Sequence, residues 1–204
     1  MFVGSINIEN IENNFSIQLN ESPFFDIFIE SLQFPFKKNF FANNIETLDN
    51  YIKTKNFSIY TAEKLLFSLF NQITILHENS ISISFLELSD ILVIDNKYFY
   101  ICNLNKFYKL DENNNILINE VYNKKSPYLS PFFVNNNYIP FYSHCNDFYF
   151  NLALIILDCI RKTNYLFSNL SNEDILNYYR YTKTYNTLKI CLSDDIINRQ
   201  FIIF

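Results

Sequence analysis

The stretch that decides the fold is "LHENSISISFLELSDILVIDNKYFYICNLNKFYKL", Leu76 to Leu110. It contains two short apolar runs, "DILVI" and "YFYIC", flanking Asp95-Asn96-Lys97. β-branched and aromatic residues on either side of a polar Asp-Asn pair read as a β-hairpin, because Asp and Asn tolerate the left-handed backbone of a tight turn. Just upstream, "TAEKLLFSLFNQITILHEN" sets Ala62, Leu65, Leu66, Leu69, Phe70, Ile73 and Leu76 on one face at helical spacing. The expected helix opens with Thr61 as its N-cap and carries Glu63 in its first turn.

Further along, Phe148 to Ile160 is apolar nearly all round, interrupted by Asn151 and Asp158. It is too short to span a bilayer and suits a helix buried on most sides. Asp174 to Arg180 and Asn186 to Leu192 also read as helical, and Arg199 falls in a final turn region. Toward the N-terminus "FVGSINI", "NFSIQL" and "FFDIFI" read as short strands, followed by a linker, "LQFPFKKNFFANN", in which Pro35 excludes a regular helix. "IETLDNYIKT" then reads as a short amphipathic helix with Ile45, Leu48 and Ile52 on one face, and "KLDENNN", "YNKKSP" and "VNNNY" as loops. A little β followed by mostly helix with one hairpin is an α+β chain, mainly α.

The 204 residues suffice for one domain, and 49% apolar residues suffice for a packed core. Twenty-three Phe, fifteen Tyr, a single Gly and no Trp, with many Asn and Ile, are the bias of an AT-rich genome such as a parasite's or a large DNA virus's. A net charge of −5 is the wrong sign for a general nucleic-acid binder, so Lys37-Lys38 and Lys124-Lys125 read as solvated loop charges. Cys102, Cys145, Cys159 and Cys191 lie far apart without a CxxC pair, and two histidines cannot complete a zinc site. Free thiols and the lack of a signal-peptide pattern imply a soluble protein of a reducing, cytoplasmic compartment, with no membrane partner.

From about Phe24 to the C-terminus the chain resembles the C-terminal lobe of the eukaryotic protein-kinase fold, with most of the N-terminal lobe missing. In that family a long helix ends in Leu-His and the HRD motif begins six residues later; here Leu76-His77 is followed at that distance by Ile83-Ser84-Phe85. The catalytic-loop Asn comes five residues after the HRD Asp, where this chain has Asp90. After the hairpin the DFG position reads Asn103-Leu104-Asn105, and in "SPYLSPFF" Ser130-Pro131-Phe132 takes the place of APE. Asp147 resembles the Asp that opens the family's central helix and braces its catalytic loop. Arg199 resembles the Arg that pairs with the APE Glu, a partner that Phe132 removes. The resemblance implies a vestigial β N-lobe at 1–36 and a kinase C-lobe-like helical domain at 37–204, with His77 and Asp147 in structural roles.

The same correspondence implies a site without chemistry. Phosphoryl transfer works by positioning and charge stabilisation, so each missing part counts. With Gly4 as its single glycine the chain cannot build a glycine-rich loop over phosphates, and it has no Lys or Arg before Lys37. Phe85 stands where the proton acceptor belongs and cannot accept a proton at any pH. Asp90 and Asn103 carry the family's two metal-ligand types in exchanged order; they are weak candidates for a divalent cation and better suit turn caps, so no metal and no cofactor are expected.

Other residues carry less. His144 and Cys145 are adjacent, a poor geometry for a nucleophile–base pair with no oxyanion hole in view. Ser126 and Tyr128 lie where an activation segment would be modified and read as exposed loop residues. The expected function is a catalytically inactive pseudokinase acting as a scaffold or assembly subunit. It would engage a protein partner or a second copy through the cleft face that the missing lobe leaves open, in the cytoplasm or in a virion. A divergent nucleotide-binding enzyme, with Lys106 or Lys109 at the phosphates, and an unrelated structural protein are the alternatives.

Overall fold

The computed structural model describes residues 2–3, 6–12, 14–19, 22–32 and 39–201. Gly4, Pro35, Lys37 and Lys38 lie outside the described residues. Strands β1 (Phe2–Val3), β2 (Ile6–Ile11) and β3 (Asn14–Leu19) are followed by helix α1 (Phe25–Ser31) and strand β4 (Asn39–Phe41). These strands form one antiparallel sheet in sequence order, with Ile8 opposite Ile17 and Phe15 opposite Phe40. Phe15 and Phe40 stack there at 5.8 Å.

Strand β5 (Ile45–Thr47), α2 (Leu48–Thr54) and the 20-residue α3 (Ile59–Glu78) come next, then β6 (Ile81–Ile83), β7 (Ile91–Ile94), β8 (Tyr98–Ile101) and β9 (Phe107–Lys109). The β7–β8 hairpin forms as the sequence implies. Lys97 N–H closes the turn on the Ile94 carbonyl, with Asp95 and Asn96 at φ 51° and 56°. Asp95 also accepts from the Asn43 and Asn44 amides, which fastens β5 along β7. β6 pairs with β9, outside that sheet.

The last third holds β10 (Asn115–Ile118), α4 (Pro131–Asn135), β11 (Phe141–His144), α5 (Asp147–Thr163), α6 (Asn172–Tyr178) and α7 (Lys183–Cys191). Helix α5 is buried along most of its length, Leu152, Ile155, Ile156, Leu157 and Cys159 completely, as its all-round apolar sequence predicts. The described residues are α+β, with seven α-helices and small antiparallel sheets. One apolar core contains Ile8, Ile17 and Phe28 together with residues of α3, the hairpin and α5.

Several expectations are overturned. "FFDIFI" is helix: Phe25, Phe28, Ile29 and Leu32 recur at helical spacing, and packing on α3 selects that period over alternation. Helix α3 starts at Ile59 because Ser58, not Thr61, is the N-cap, its hydroxyl accepting from the Thr61 amide at 3.2 Å. Ile45 belongs to β5, so α2 begins only at Leu48, capped by Thr47. The linker contains β4, and the expected loops "KLDENNN" and "VNNNY" run next to the unanticipated β10–β11 ribbon and α4. Its strands are short, and their partners are separated by more than twenty residues.

Candidate functional site

The hairpin register sets Ile91 opposite Ile101 and so brings the residues just outside it, Asp90 and Asn103, together. The Asn103 side-chain amide donates to Asp90 Oδ1 at 2.7 Å. The other carboxylate oxygen accepts from the Glu87 amide at 2.8 Å, closing a capping box over the turn Leu88–Asp90. The Asp90 carbonyl takes the Cys102 N–H at 3.0 Å, and the Asn103 carbonyl oxygen of the side chain accepts from Asn105 N–H at 3.2 Å. Asp90 is therefore a buried carboxylate held by neutral donors. Among the described residues no group of three or more His, Cys, Asp or Glu side chains is arranged to hold a metal ion.

Ile83 ends β6 opposite Phe107, and the Ser84 amide continues that ladder to the Lys106 carbonyl at 3.0 Å. Phe85 then leaves the main core for a second apolar cluster with Ile116, Ile118, Leu129 and Phe133. Its ring lies 5.5 Å from Phe133 and 5.4 Å from Tyr122, and Lys106 Nζ sits 4.0 Å above it. No Lys or Arg forms an ion pair with Asp90 among the described residues, and Lys109 is exposed on β9. Leu104 is buried and Asn105 exposed.

Asn151, on the second turn of α5, was not singled out by the sequence as more than an interruption of an apolar run. It is 1% exposed and holds the segment after Phe85: its Oδ1 accepts from Leu86 N–H at 2.9 Å, and its amide donates to the carbonyls of Leu86 and Tyr128. Asp147 is the first residue of α5, after the N-cap Asn146. It accepts from the Ser130 hydroxyl and forms a buried ion pair with Arg199. Arg199 also donates from Nε to the Ser193 carbonyl at 2.8 Å and lies over the Phe150 ring. Burial pushes the Asp147 carboxyl up, against the opposing pull of Ser130 and Arg199.

His77, in the last turn of α3, lies 3.3 Å from the Ser82 hydroxyl through Nε2, and burial lowers its pKa. Ser126 and Tyr128 are buried, contrary to expectation, because the Tyr128 ring enters the main core and its hydroxyl donates to Asp158 at 2.6 Å. Cys145 Sγ lies 3.9 Å from His144 Nδ1, which also accepts from Asn146 N–H, and burial raises the Cys145 thiol, which disfavours a thiolate there. Gln72, fully buried on α3, was also missed: its amide both donates to and accepts from the Ile101 backbone at 2.9 and 2.8 Å, continuing the β8 hydrogen bonding into the helix.

Among the described residues the β7–β8 hairpin presents no exposed apolar face. β7 is buried at all four residues, and Phe24 and Phe28 lie against Phe107. The large exposed apolar side chains around β10, α4 and β11 are instead Leu117, Phe132, Val134, Tyr138, Ile139 and Tyr142. No helix among the described residues is long and apolar enough to cross a membrane. No protein-family model matches the chain, and no curated protein matches its sequence.

Proposed function

We propose that the chain is a catalytically silent, protein-kinase-like interaction module. The observation that carries this reading is the closed Asp90–Asn103 pair beside a buried Phe85. Two residues at the family's metal-ligand positions meet across the hairpin, yet the carboxylate spends both oxygens on the Glu87 amide and the Asn103 side chain. At the proton-acceptor position a phenyl ring fills an apolar cluster, where no base can reach a substrate hydroxyl. The interaction role is supported by the exposed aromatic and aliphatic side chains of β10, α4 and β11, since a contiguous exposed apolar patch marks a binding surface. The partner is a protein, with no nucleic acid and no cofactor involved.

Lys106 favours one second reading. Its ammonium over Phe85 places a cation in the segment that follows Asn103, where a divergent nucleotide-binding enzyme would need one. Thermal unfolding with and without ATP plus Mg²⁺ or Mn²⁺ separates the two. A nucleotide at about 100 times its dissociation constant would add roughly 2.7 kcal/mol to stability. The expected result is no shift at millimolar nucleotide. A metal-dependent shift that disappears in Asp90→Ala would overturn the silent site.

A further inference from the structure

A cavity of about 550 Å³ opens beside the Asp147–Arg199 pair, between the start of α4, the outer face of the β10–β11 ribbon and the turn that precedes Arg199. Its apolar wall is Phe132 and Tyr142, and its acidic wall is Asp194 and Asp195. Leu117 stands directly opposite Tyr142 in the ribbon register, so it shares that outer face and extends the apolar wall beyond the cavity. Phe132 is 41% exposed and Tyr142 61%, so both rings are available to an occupant.

The charges decide what that occupant is. Arg199 reaches the cavity, but its guanidinium is committed to Asp147 and to the carbonyls of Ser193 and Asp194. His144 turns Nδ1 to the Asn146 amide as an acceptor at 3.2 Å. Asp195 accepts only from the neutral Ile197 amide and Asn198 side chain, and neither Asp194 nor Asp195 is ion-paired among the described residues. Asp194 and Asp195 line the same cavity as Phe132 and Tyr142 and carry no ion pair among the described residues, so the cavity suits a cation on an apolar stem through carboxylate charge and the ring quadrupoles.

We propose that this cavity binds a lysine or arginine side chain of a partner polypeptide, with flanking apolar residues of that partner lying along Leu117 and Tyr142. A polypeptide fits better than a free amine because the apolar face continues past the cavity, and the chain's net charge of −5 favours a basic partner. The proposal gives the partner of the interaction module a chemistry and rests on that reading for its setting only; it does not depend on whether nucleotide binds, so the thermal-shift assay and the experiment below fail independently.

The test is fluorescence anisotropy with a labelled eight-residue peptide of alternating Leu and Lys, against a Leu/Glu peptide of equal length. Saturable binding of the Leu/Lys peptide only is expected, weakened at least about tenfold in Asp194→Asn/Asp195→Asn. Those changes keep Asp195's capping role, because Asn caps equally well. Tyr142→Ser, at an exposed position, should weaken binding about fivefold without affecting the fold. Glu30→Gln/Glu78→Gln removes the same charge from exposed sites on α1 and α3 and should leave binding unchanged. Equal weakening by this control pair, no saturable binding, or binding indifferent to both cavity variants would each overturn the proposal.

Discussion

Asp90 and Asp147 are both buried carboxylates, 5% and 2% exposed, and the chain stabilises them in opposite ways. Around Asp90 every donor is neutral: a backbone amide and the Asn103 side chain. Asp147 faces a guanidinium and a hydroxyl. A neutral cradle can be built from residues close in sequence, on either side of one hairpin. This ion pair takes its partner from fifty-two residues further along the chain. The first arrangement makes a local turn rigid; the second ties the last described segment to the start of the central helix.

That contrast breaks most sharply at Arg199. Arg199→Met leaves Asp147 buried and unpaired, and such a loss costs about 3–5 kcal/mol. Urea unfolding should show it, and adding Asp147→Leu should recover much of the loss. A cost under about 1 kcal/mol would mean that Ser130 alone sustains the carboxylate.

Asn151 connects the two regions, one turn along α5 from Asp147 and bonded to the segment that leads into the Asp90 turn. Asn151→Leu removes three hydrogen bonds and strands buried backbone groups at Leu86 and Tyr128, for an expected loss of about 3 kcal/mol. Chemical denaturation measures it, and a near-neutral result would show that the apolar replacement repacks.

The neutral cradle should be cheaper to disturb. Asp90→Asn keeps one acceptor for Glu87 but turns two side-chain amides toward each other, costing about 1–2 kcal/mol. The exchange Asp90→Asn/Asn103→Asp restores a donor–acceptor pair and should recover most of the difference in melting temperature. Recovery would show that the pair's complementarity matters more than which partner carries the charge.

The smallest effect concerns pH. Burial holds the His77 pKa below 6.5, so between 6.5 and that lower value the unfolded chain binds a proton that the folded chain refuses. Stability should therefore fall as pH drops through that window. His77→Gln keeps a hydrogen-bonding group near Ser82 and should flatten the decline, read from urea midpoints between pH 7 and 5. An unchanged slope would assign the acid sensitivity to the carboxylates.

The two regions also differ in how far they were legible. The Asp90 turn could be read because helix stripe, Asp-Asn turn and apolar runs follow one another directly from Ala62 to Cys102, and hairpin register then fixes who meets whom. The Asp147–Arg199 pair could not, since nothing local in Arg199 says which carboxylate it will find. Asn151 and Gln72 were hidden for a related reason: a lone amide in an apolar helix face looks like an interruption until the backbone it satisfies is in place. Helix α1 shows a different limit. "FFDIFI" suits both periods, and only the surface of α3 chooses between them.

The four cysteines, unremarkable as core fillers, make the protein its own clock. Each thiol is free and buried, and burial raises each pKa, that of Cys191 to about 12. An alkylating reagent therefore meets almost no thiolate until the surrounding structure opens. Cys145 sits between the β10–β11 ribbon and α5, its amide tied to the Asn114 carbonyl, outside the main core. Cys102 and Cys159 belong to the main core. Labelling of Cys145 ahead of those two would time the opening of the ribbon alone, without any engineered probe.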